Sequence, residues 1–188
     1  MESKKIIIGL VGEMGSGKDT VAEYLKNECG AQLFRFSDPL REALEVFLES
    51  DRVGREDFIW LSNNVRGRYG NNIIADSLRR KFNRAGEGII VLNGMRIKED
   101  LDFIRSFPDS RVIYVTIDAK TRWERVFGRG EKADDAVSFE KFQEMEKAET
   151  EVQIPDIGKK ADFRLENNEA KENLREKTEE IIKKIKSE

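Results

Sequence analysis

Histidine is absent from this chain of 188 residues, and cysteine occurs once, as Cys29. Without histidine the protein has no imidazole for acid–base catalysis and no histidine ligand for zinc. A single cysteine cannot form a disulfide within the chain. These absences exclude histidine-dependent hydrolases, zinc sites with histidine ligands and disulfide-braced domains.

Long apolar runs and an excess of one charge are also missing. No run of about 18 apolar residues is present, and the N-terminus lacks the apolar stretch of a signal peptide. The 34 basic and 37 acidic residues give a net charge of −3, which argues against general electrostatic binding of nucleic acid. We therefore expect a cytoplasmic protein of one domain, without a membrane partner, whose oligomeric state stays open.

Short apolar runs alternate with stretches of helical periodicity along the chain. A helix is expected over 19–30, and further helices over 38–86, over 119–152 and at the C-terminus. Strands are predicted at 5–11, 31–37, 88–94, 111–118 and 161–168. This alternation predicts an α/β fold, with a five-stranded parallel sheet covered on both faces.

Two helical insertions interrupt the predicted single domain of residues 1–188. The first insertion, 38–86, follows the second strand, and the second insertion, 121–150, follows the fourth strand. Both would stand over the carboxyl ends of the strands, where open α/β sheets bind ligands. The predicted core comprises residues 1–37, 87–120 and 151–188.

The segment GLVGEMGSGKDT, residues 9–20, has the spacing of a phosphate-binding loop between an apolar strand and a helix. Glycines let backbone N–H groups surround phosphates, and the helix N-terminus adds partial positive charge. Lys18 would meet the β- and γ-phosphates of ATP. The expected ATP-binding residues of the loop are Gly12, Glu13, Met14, Gly15, Ser16, Gly17, Lys18, Asp19 and Thr20.

Asp19 stands where the loop pattern has the Ser or Thr that holds magnesium. Asn93, at the end of the third strand, stands where many phosphate-loop enzymes have an aspartate for the same ion. We interpret Asp19 as the replacement for the charge that is missing at Asn93, with Thr20 as a second metal ligand. A degraded metal site is the alternative.

Arginines that follow the strands are candidates for charge stabilisation, on which phosphoryl transfer mainly depends. Arg96 ends the segment NGMR after the third strand, and Arg125 and Arg129 lie four residues apart on one helical face. Most arginines lie at the solvated surface, but these three stand at the predicted functional edge of the sheet. The segments FSDPLRE and VRGRYGNN supply the further substrate-binding candidates Asp38, Arg41, Arg66 and Tyr69.

In this order the motifs resemble those of nucleoside monophosphate kinases. NGMR and the paired arginines stand where adenylate kinases have D-G-x-x-R and R-x-x-x-R. The chain is similar over nearly its whole length to compact archaeal adenylate-kinase-related proteins, notably at SDPLR, RGRYG and ADFRLENNEA. The variant GKDT also resembles that of deoxynucleoside monophosphate kinases, and the layout is similar to that of dephospho-coenzyme A kinases.

The resemblance implies a P-loop NTPase fold, a three-layer sandwich, and a kinase that uses ATP with Mg²⁺. By position, Arg96 would hold the phosphate of the acceptor with Arg41 beside it. Arg125 would lie near the donor base and phosphates, and Arg129 would clasp the transferring phosphoryl group. Asn167 in the segment ENN would face the donor base.

Two departures from the family pattern are Asn93 and the lysines of EKFQEMEKAETE, where such lids have another arginine. The expected acceptor is a small phosphorylated metabolite, namely a nucleoside or deoxynucleoside monophosphate. Its phosphate is already ionised, so it needs no general base, which suits a chain without histidine. Two alternatives stay open: a dephospho-coenzyme A kinase-like enzyme with Asp38 as base, and an ATP-hydrolysing switch that acts on a macromolecular partner.

Overall fold

The computed structural model describes residues 5–83, 88–128, 137–168 and 171–187. Within these ranges five strands form one sheet in the order β2-β3-β1-β4-β5, and every neighbouring pair is parallel. The strands are β1 (Lys5–Val11), β2 (Gln32–Arg35), β3 (Gly88–Asn93), β4 (Ser110–Thr116) and β5 (Phe163–Glu166). The prediction of an α/β fold with a five-stranded parallel sheet is confirmed.

The edge strands are shorter than the sequence predicts. The second strand was expected to continue to residue 37, but it ends at Arg35. The N–H of Phe36 still donates to the carbonyl oxygen of Asn93 in β3 at 3.0 Å, whereas the N–H of Arg35 donates to the Asp38 carboxylate at 2.7 Å. Asp38 is at the same time the first residue of the next helix, so the chain turns away from the sheet there.

Helices connect the strands and cover the sheet. Asp118 and Ser138 accept a backbone N–H at the start of two of them, as N-cap residues do. The helices in the described ranges are α1 (Lys18–Cys29), α2 (Asp38–Glu45), α3 (Arg55–Tyr69), α4 (Ile73–Phe82), α5 (Lys98–Arg105), α6 (Ala119–Phe127), α7 (Phe139–Met145), α8 (Ile154–Gly158) and α9 (Lys171–Ser187). None of these helices is long and apolar enough to cross a membrane.

The core lies on both faces of the sheet because β1 is buried on both sides. Ile7 and Val11 belong to an apolar cluster with side chains of α4, α5 and α8. Ile8 and Leu10, on the opposite face, belong to a second cluster with side chains of α1 and α9. Since successive strand residues face opposite sides, this central strand is apolar at nearly every position.

The first insertion contributes to the core through one of its helices. Ile74, Leu78 and Phe82 of α4 are buried in the cluster that contains Ile7. By contrast, α3 has no fully buried residue. The segment 38–86 therefore combines a core helix with an outer helix, and the proposed boundaries of the two insertions stay a prediction.

Gly158, the last residue of α8, packs directly against β4. A Cβ at this position would lie 2.7 Å from three ring atoms of Tyr114. The Tyr114 hydroxyl donates a hydrogen bond to Glu13 in the loop after β1. The close approach of α8 to the sheet thus supports a side chain that contacts the loop.

Replacing Gly158 by alanine should lower the free energy of unfolding by about 1–3 kcal/mol, because the added methyl group overpacks the contact with Tyr114. Urea denaturation followed by circular dichroism measures this. Gly67 in α3 is the matched control, since a Cβ there meets no atom within 4 Å. Gly67→Ala should be stabilising by about 0.5–1 kcal/mol. Equal effects of the two substitutions would contradict the packing argument.

Candidate active site

The loop between β1 and α1 curves tightly against the end of β4. A Cβ at Gly12 would lie 2.4 Å from the carbonyl oxygen of Val115 and 2.6 Å from Ser16 Oγ. Gly17, which precedes α1, has φ 96°, in the left-handed region that favours glycine. The first and last glycines of the motif are thus required by close packing and by backbone conformation.

Asn167 joins the end of β5 to this loop. Its side chain is buried, and Nδ2 donates to the carbonyl oxygen of Ser16 at 2.8 Å. The backbone carbonyl oxygen of Asn167 accepts a hydrogen bond from the guanidinium of Arg125 at 3.0 Å. The side chain of Asn167 therefore fixes the loop, while its backbone holds an arginine of α6 beside the same place.

A cavity of about 530 Å³ opens beside the loop. Its lining includes Lys18, Asp19, Thr20, Arg125 and Asn167, five of the residues that we predict on the donor side. The fold thus brings residues from the loop, from α6 and from the end of β5 to one cavity. Their roles in ATP binding stay predictions. Arg129, the other arginine of the pair, lies outside the described residues.

Asp19 lies between Lys18 and Asn93. Asp19 Oδ2 is 3.1 Å from Lys18 Nζ, and Asp19 Oδ1 accepts from Asn93 Nδ2 at 2.7 Å. Partial burial acts to raise the pKa of the Asp19 carboxyl, but the Lys18 charge and the Asn93 hydrogen bond outweigh it, so the pKa is lowered. The Asp19 side chain keeps 59% of its surface exposed, so an ionised carboxylate faces the cavity.

This arrangement fits Mg²⁺ that binds together with phosphates. The described residues contain no group of three or more His, Cys, Asp or Glu side chains that could hold a metal ion by themselves. Nucleotide-bound Mg²⁺ needs only one or two protein carboxylates, since phosphates and water supply the other ligands. Asp19 and Thr20 line the cavity, and Asn93 Oδ1 beside them is buried without a hydrogen-bond partner.

Arg96, the candidate for the acceptor phosphate, is paired with Glu151. The same carboxylate oxygen of Glu151 accepts from Arg55 Nη2 at 2.9 Å, and Arg55 Nη1 lies 2.8 Å from the sulfur of Met14 in the loop. Burial and then the positive charge of Arg55 lower the pKa of Arg96 to about 10. Arg96 thus stays charged at neutral pH. Its side chain is 39% exposed and is therefore accessible from solvent.

Arg66, a substrate-binding candidate whose role stays a prediction, is held by a buried carboxylate. Its guanidinium pairs with Asp100 at 3.2 Å, and this carboxylate is fully buried. Asp100 also accepts the backbone N–H of Arg96 at 2.9 Å and so caps the start of α5. Burial raises the pKa of Asp100, although Arg66 acts in the opposite direction. The contacts of Arg66 therefore support the turn that carries Arg96.

The other candidates of the first insertion are not joined to Arg96 by any bond that the structure describes. Asp38 accepts the N–H that ends β2. The guanidinium of Arg41 lies 4.9 Å from the ring centre of Phe58, and Tyr69 is 65% exposed. Their roles in acceptor binding stay predictions.

Arg55 and Glu151 were not identified from the sequence, although the structure pairs both with the site. They lie in the charged segments DRVGRED and ETEVQ, and no motif distinguishes them there from solvated residues. Only the fold brings together Arg55 at the start of α3 and Glu151 just before α8.

Arg122 braces the second insertion. It is buried, donates to the carbonyl oxygen of Ile117 at 3.1 Å and pairs with Glu146 at the end of α7. The indole N–H of Trp123 donates to the carbonyl oxygen of Val137 at 2.8 Å. These contacts fasten α7 to α6, which carries Arg125 into the cavity.

Comparison with known proteins finds a matching family model and relatives along nearly the whole chain. A family model described as an AAA domain matches residues 8–153. A UPF0200 protein of Sulfurisphaera tokodaii is 30% identical over 179 residues, which cover 95% of this chain and 97% of that protein. A UPF0200 protein of Pyrococcus horikoshii is 30% identical over 191 residues, covering 96% of this chain and 97% of that protein.

Solved structures share the fold at low sequence identity. TT1252 from Thermus thermophilus has a TM-score of 0.62 at 20% identity, over 96% of this chain and 98% of that one. Shikimate kinase from Acinetobacter baumannii, in complex with shikimate, has a TM-score of 0.61 at 15% identity, over 98% and 95% of the two chains. The fold is therefore that of the P-loop kinases, as expected.

Gly17→Ala should destabilise the protein more than Gly30→Ala, although both glycines flank α1 with positive φ. An alanine at either position adds about 1–2 kcal/mol of backbone strain. At Gly17 the Cβ would also lie 2.3 Å from Asn167 Nδ2, whereas at Gly30 it meets no atom within 4 Å. Urea denaturation of both variants measures the difference. In a Gly17→Ala/Asn167→Ala double variant the free energy of unfolding should fall by less than the sum of the two single decreases. Strictly additive decreases would refute the contact.

Proposed function

This chain belongs to the UPF0200 family and to the AAA-domain family, and we propose that it is an ATP- and Mg²⁺-dependent kinase of a nucleoside or deoxynucleoside monophosphate. The observation that carries the proposal is the junction at Arg55. This residue contacts Met14 of the phosphate loop and shares Glu151 with Arg96. A chain of contacts thus links the phosphate loop, the proposed donor site, to Arg96, the proposed acceptor residue.

On the donor side, the loop and Lys18 bind the β- and γ-phosphates of ATP through backbone N–H groups and an ammonium charge. Arg125, held by Asn167, adds positive charge from α6. Asp19 and Thr20 would hold Mg²⁺, which when bound neutralises charge on the phosphates. Asn93 orients the carboxylate of Asp19 through their hydrogen bond.

On the acceptor side, Arg96 holds the phosphate of the nucleoside monophosphate. An oxygen of that phosphate attacks the γ-phosphorus of ATP, the bond to the β–γ bridging oxygen breaks, and ADP leaves. The attacking oxygen is ionised at neutral pH, so the step needs no general base. The contribution of the protein is to place the two phosphates in line and to stabilise the charge that develops between them.

An alcohol acceptor, as in a dephospho-coenzyme A kinase-like enzyme, is the second candidate. Asp38 favours it, since this carboxylate lies at the end of β2 and uses one oxygen for the N–H of Arg35. A general base of this kind would accept the proton of the attacking hydroxyl. An ATP-hydrolysing switch would instead show turnover that does not depend on any small acceptor.

Lys18→Ala should lower kcat by a factor of about 10³ while the free energy of unfolding changes little. The ammonium group lies in the loop, where it offsets charge on the transferring phosphates. Turnover is measured by ADP release with a panel of nucleoside monophosphates. Lys26→Ala is the matched control, because Lys26 is an exposed lysine in the last turn of the same helix. Equal turnover of both variants would exclude phosphoryl transfer at this loop.

Asp19→Ala should lower Mn²⁺ affinity in the presence of nucleotide, measured by electron paramagnetic resonance, and should lower kcat at ordinary Mg²⁺. Excess Mg²⁺ should restore part of the activity by mass action. Asn93→Asp in this variant should restore affinity, since a carboxylate returns 2.7 Å from the original position.

In the wild-type background Asn93→Asp should not help, because it replaces a hydrogen bond by repulsion between two carboxylates. The four proteins form a double-mutant cycle whose coupling term tests the metal site. The losses of Mn²⁺ affinity and of kcat could instead be additive, with no recovery from excess Mg²⁺ or from Asn93→Asp. In that case Asp19 is not a metal ligand and acts only at the N-terminus of α1.

A further inference from the structure

Two guanidinium groups converge on one buried carboxylate, and one of them, that of Arg55, also contacts Met14 of the phosphate loop. Arg55 Nη2 and Arg96 Nη1 both donate to Oε1 of Glu151, whose side chain is 7% exposed. The arginines are more accessible, with side chains 21% and 39% exposed. The carboxylate is therefore shielded from solvent, whereas the arginines are accessible to it.

Donor capacity remains on the accessible side of this cluster. A guanidinium has five N–H donors, and the side chain of Arg96 makes one hydrogen bond in the part of the chain that the structure describes. Arg96 is the more exposed of the two arginines, and Arg55, which shares Glu151 with it, contacts Met14 of the loop. An anion bound to Arg96 would thus be next to the phosphate loop.

Glu151 has two opposing effects on such an anion. It supplies the counter-charge that lets two like-charged guanidiniums stay together, and it fixes their direction. It also lowers the net charge of the cluster from +2 to +1 and so weakens the attraction for any anion that binds in front. These two effects can be separated by experiment, because the first concerns geometry and the second concerns charge.

We infer that Arg55, Arg96 and Glu151 form the site for the phosphate monoester of the acceptor, with Arg55 as a second phosphate-binding residue and Glu151 as the positioning residue that also limits anion affinity. This inference rests on the proposed function, since it assigns the anion to the acceptor. It places Arg55, rather than Arg41, beside Arg96. It also joins acceptor binding to the loop through Met14, which Arg55 contacts.

Titration with inorganic phosphate tests the charge effect without turnover. All proteins in this arm carry Lys18→Ala, so that binding at the phosphate loop is reduced. Glu151→Gln should bind phosphate about tenfold more tightly than its parent by calorimetry, and the gain should shrink as salt is added. Arg96→Ala and Arg55→Ala should each weaken phosphate binding about tenfold. Combined with Glu151→Gln, either substitution should cancel the tighter phosphate binding that Glu151→Gln produces.

Glu146→Gln is the matched control. Glu146 also pairs with an arginine, Arg122, and the substitution removes the same charge from the same part of the chain. It should leave phosphate affinity unchanged. Equal affinities of Glu151→Gln and Glu146→Gln would overturn the inference. If Glu151→Gln fails to fold, the two arginine variants decide, and unchanged phosphate binding in both would overturn it as well.

A competition arm identifies the source of the phosphate. Adenosine 5′-monophosphate should displace inorganic phosphate, and adenosine should not. Binding of inorganic phosphate without competition by the ester would overturn the assignment to the acceptor.

Turnover, measured with Lys18 intact, separates the two proposals. Glu151→Gln should lower kcat because the arginines lose their fixed direction. Inorganic phosphate should inhibit this variant more strongly than it inhibits the wild-type protein. Absence of kinase activity in every protein, with tighter phosphate binding in Glu151→Gln, refutes the proposed function and keeps the anion site. Kinase activity together with an unchanged phosphate affinity in Glu151→Gln supports the proposed function and refutes the anion site.

Discussion

The parallel pairing of β1 with β3 is the constraint on which the candidate active site depends. Its register places Leu10 beside Asn93, so the loop that leaves β1 begins where β3 ends. In this register Asn93 donates a hydrogen bond to Asp19 at 2.7 Å. Since all five strands are parallel, their carboxyl ends lie at one edge, and the loop, Arg96 and Asn167 all follow from that edge.

Buried carboxylates organise the arginines around this edge. Asp100 holds Arg66 and the backbone of Arg96, and Glu151 holds the side chains of Arg55 and Arg96. A buried charge needs a partner, so each carboxylate fixes the direction of the cations that surround it. The pairs with Glu151 also join two segments far apart in sequence, α3 and the turn before α8.

The sequence predicted the strand order along the chain, the phosphate loop and the parallel sheet, because these depend on local periodicity and on glycine spacing. It also indicated that Asn93 and Asp19 belong together, and the structure joins them at 2.7 Å. The ends of β2 and β5 were predicted too far along the chain. At β2 the chain turns into α2 at Asp38, and apolar periodicity does not record this change of direction.

The sequence by itself determined that a phosphate loop is predicted, because the spacing of Gly12, Gly17 and Lys18 between an apolar strand and a helix is a local pattern. Only the tertiary structure decided which of the many arginines are linked to the loop. Arg66 and Arg55 are both arginines of α3, yet Asp100 holds one under Arg96 and Glu151 holds the other beside it. The physical reason is that an arginine is positioned by its carboxylate partner, and the partners of these two are 34 and 96 residues away in sequence.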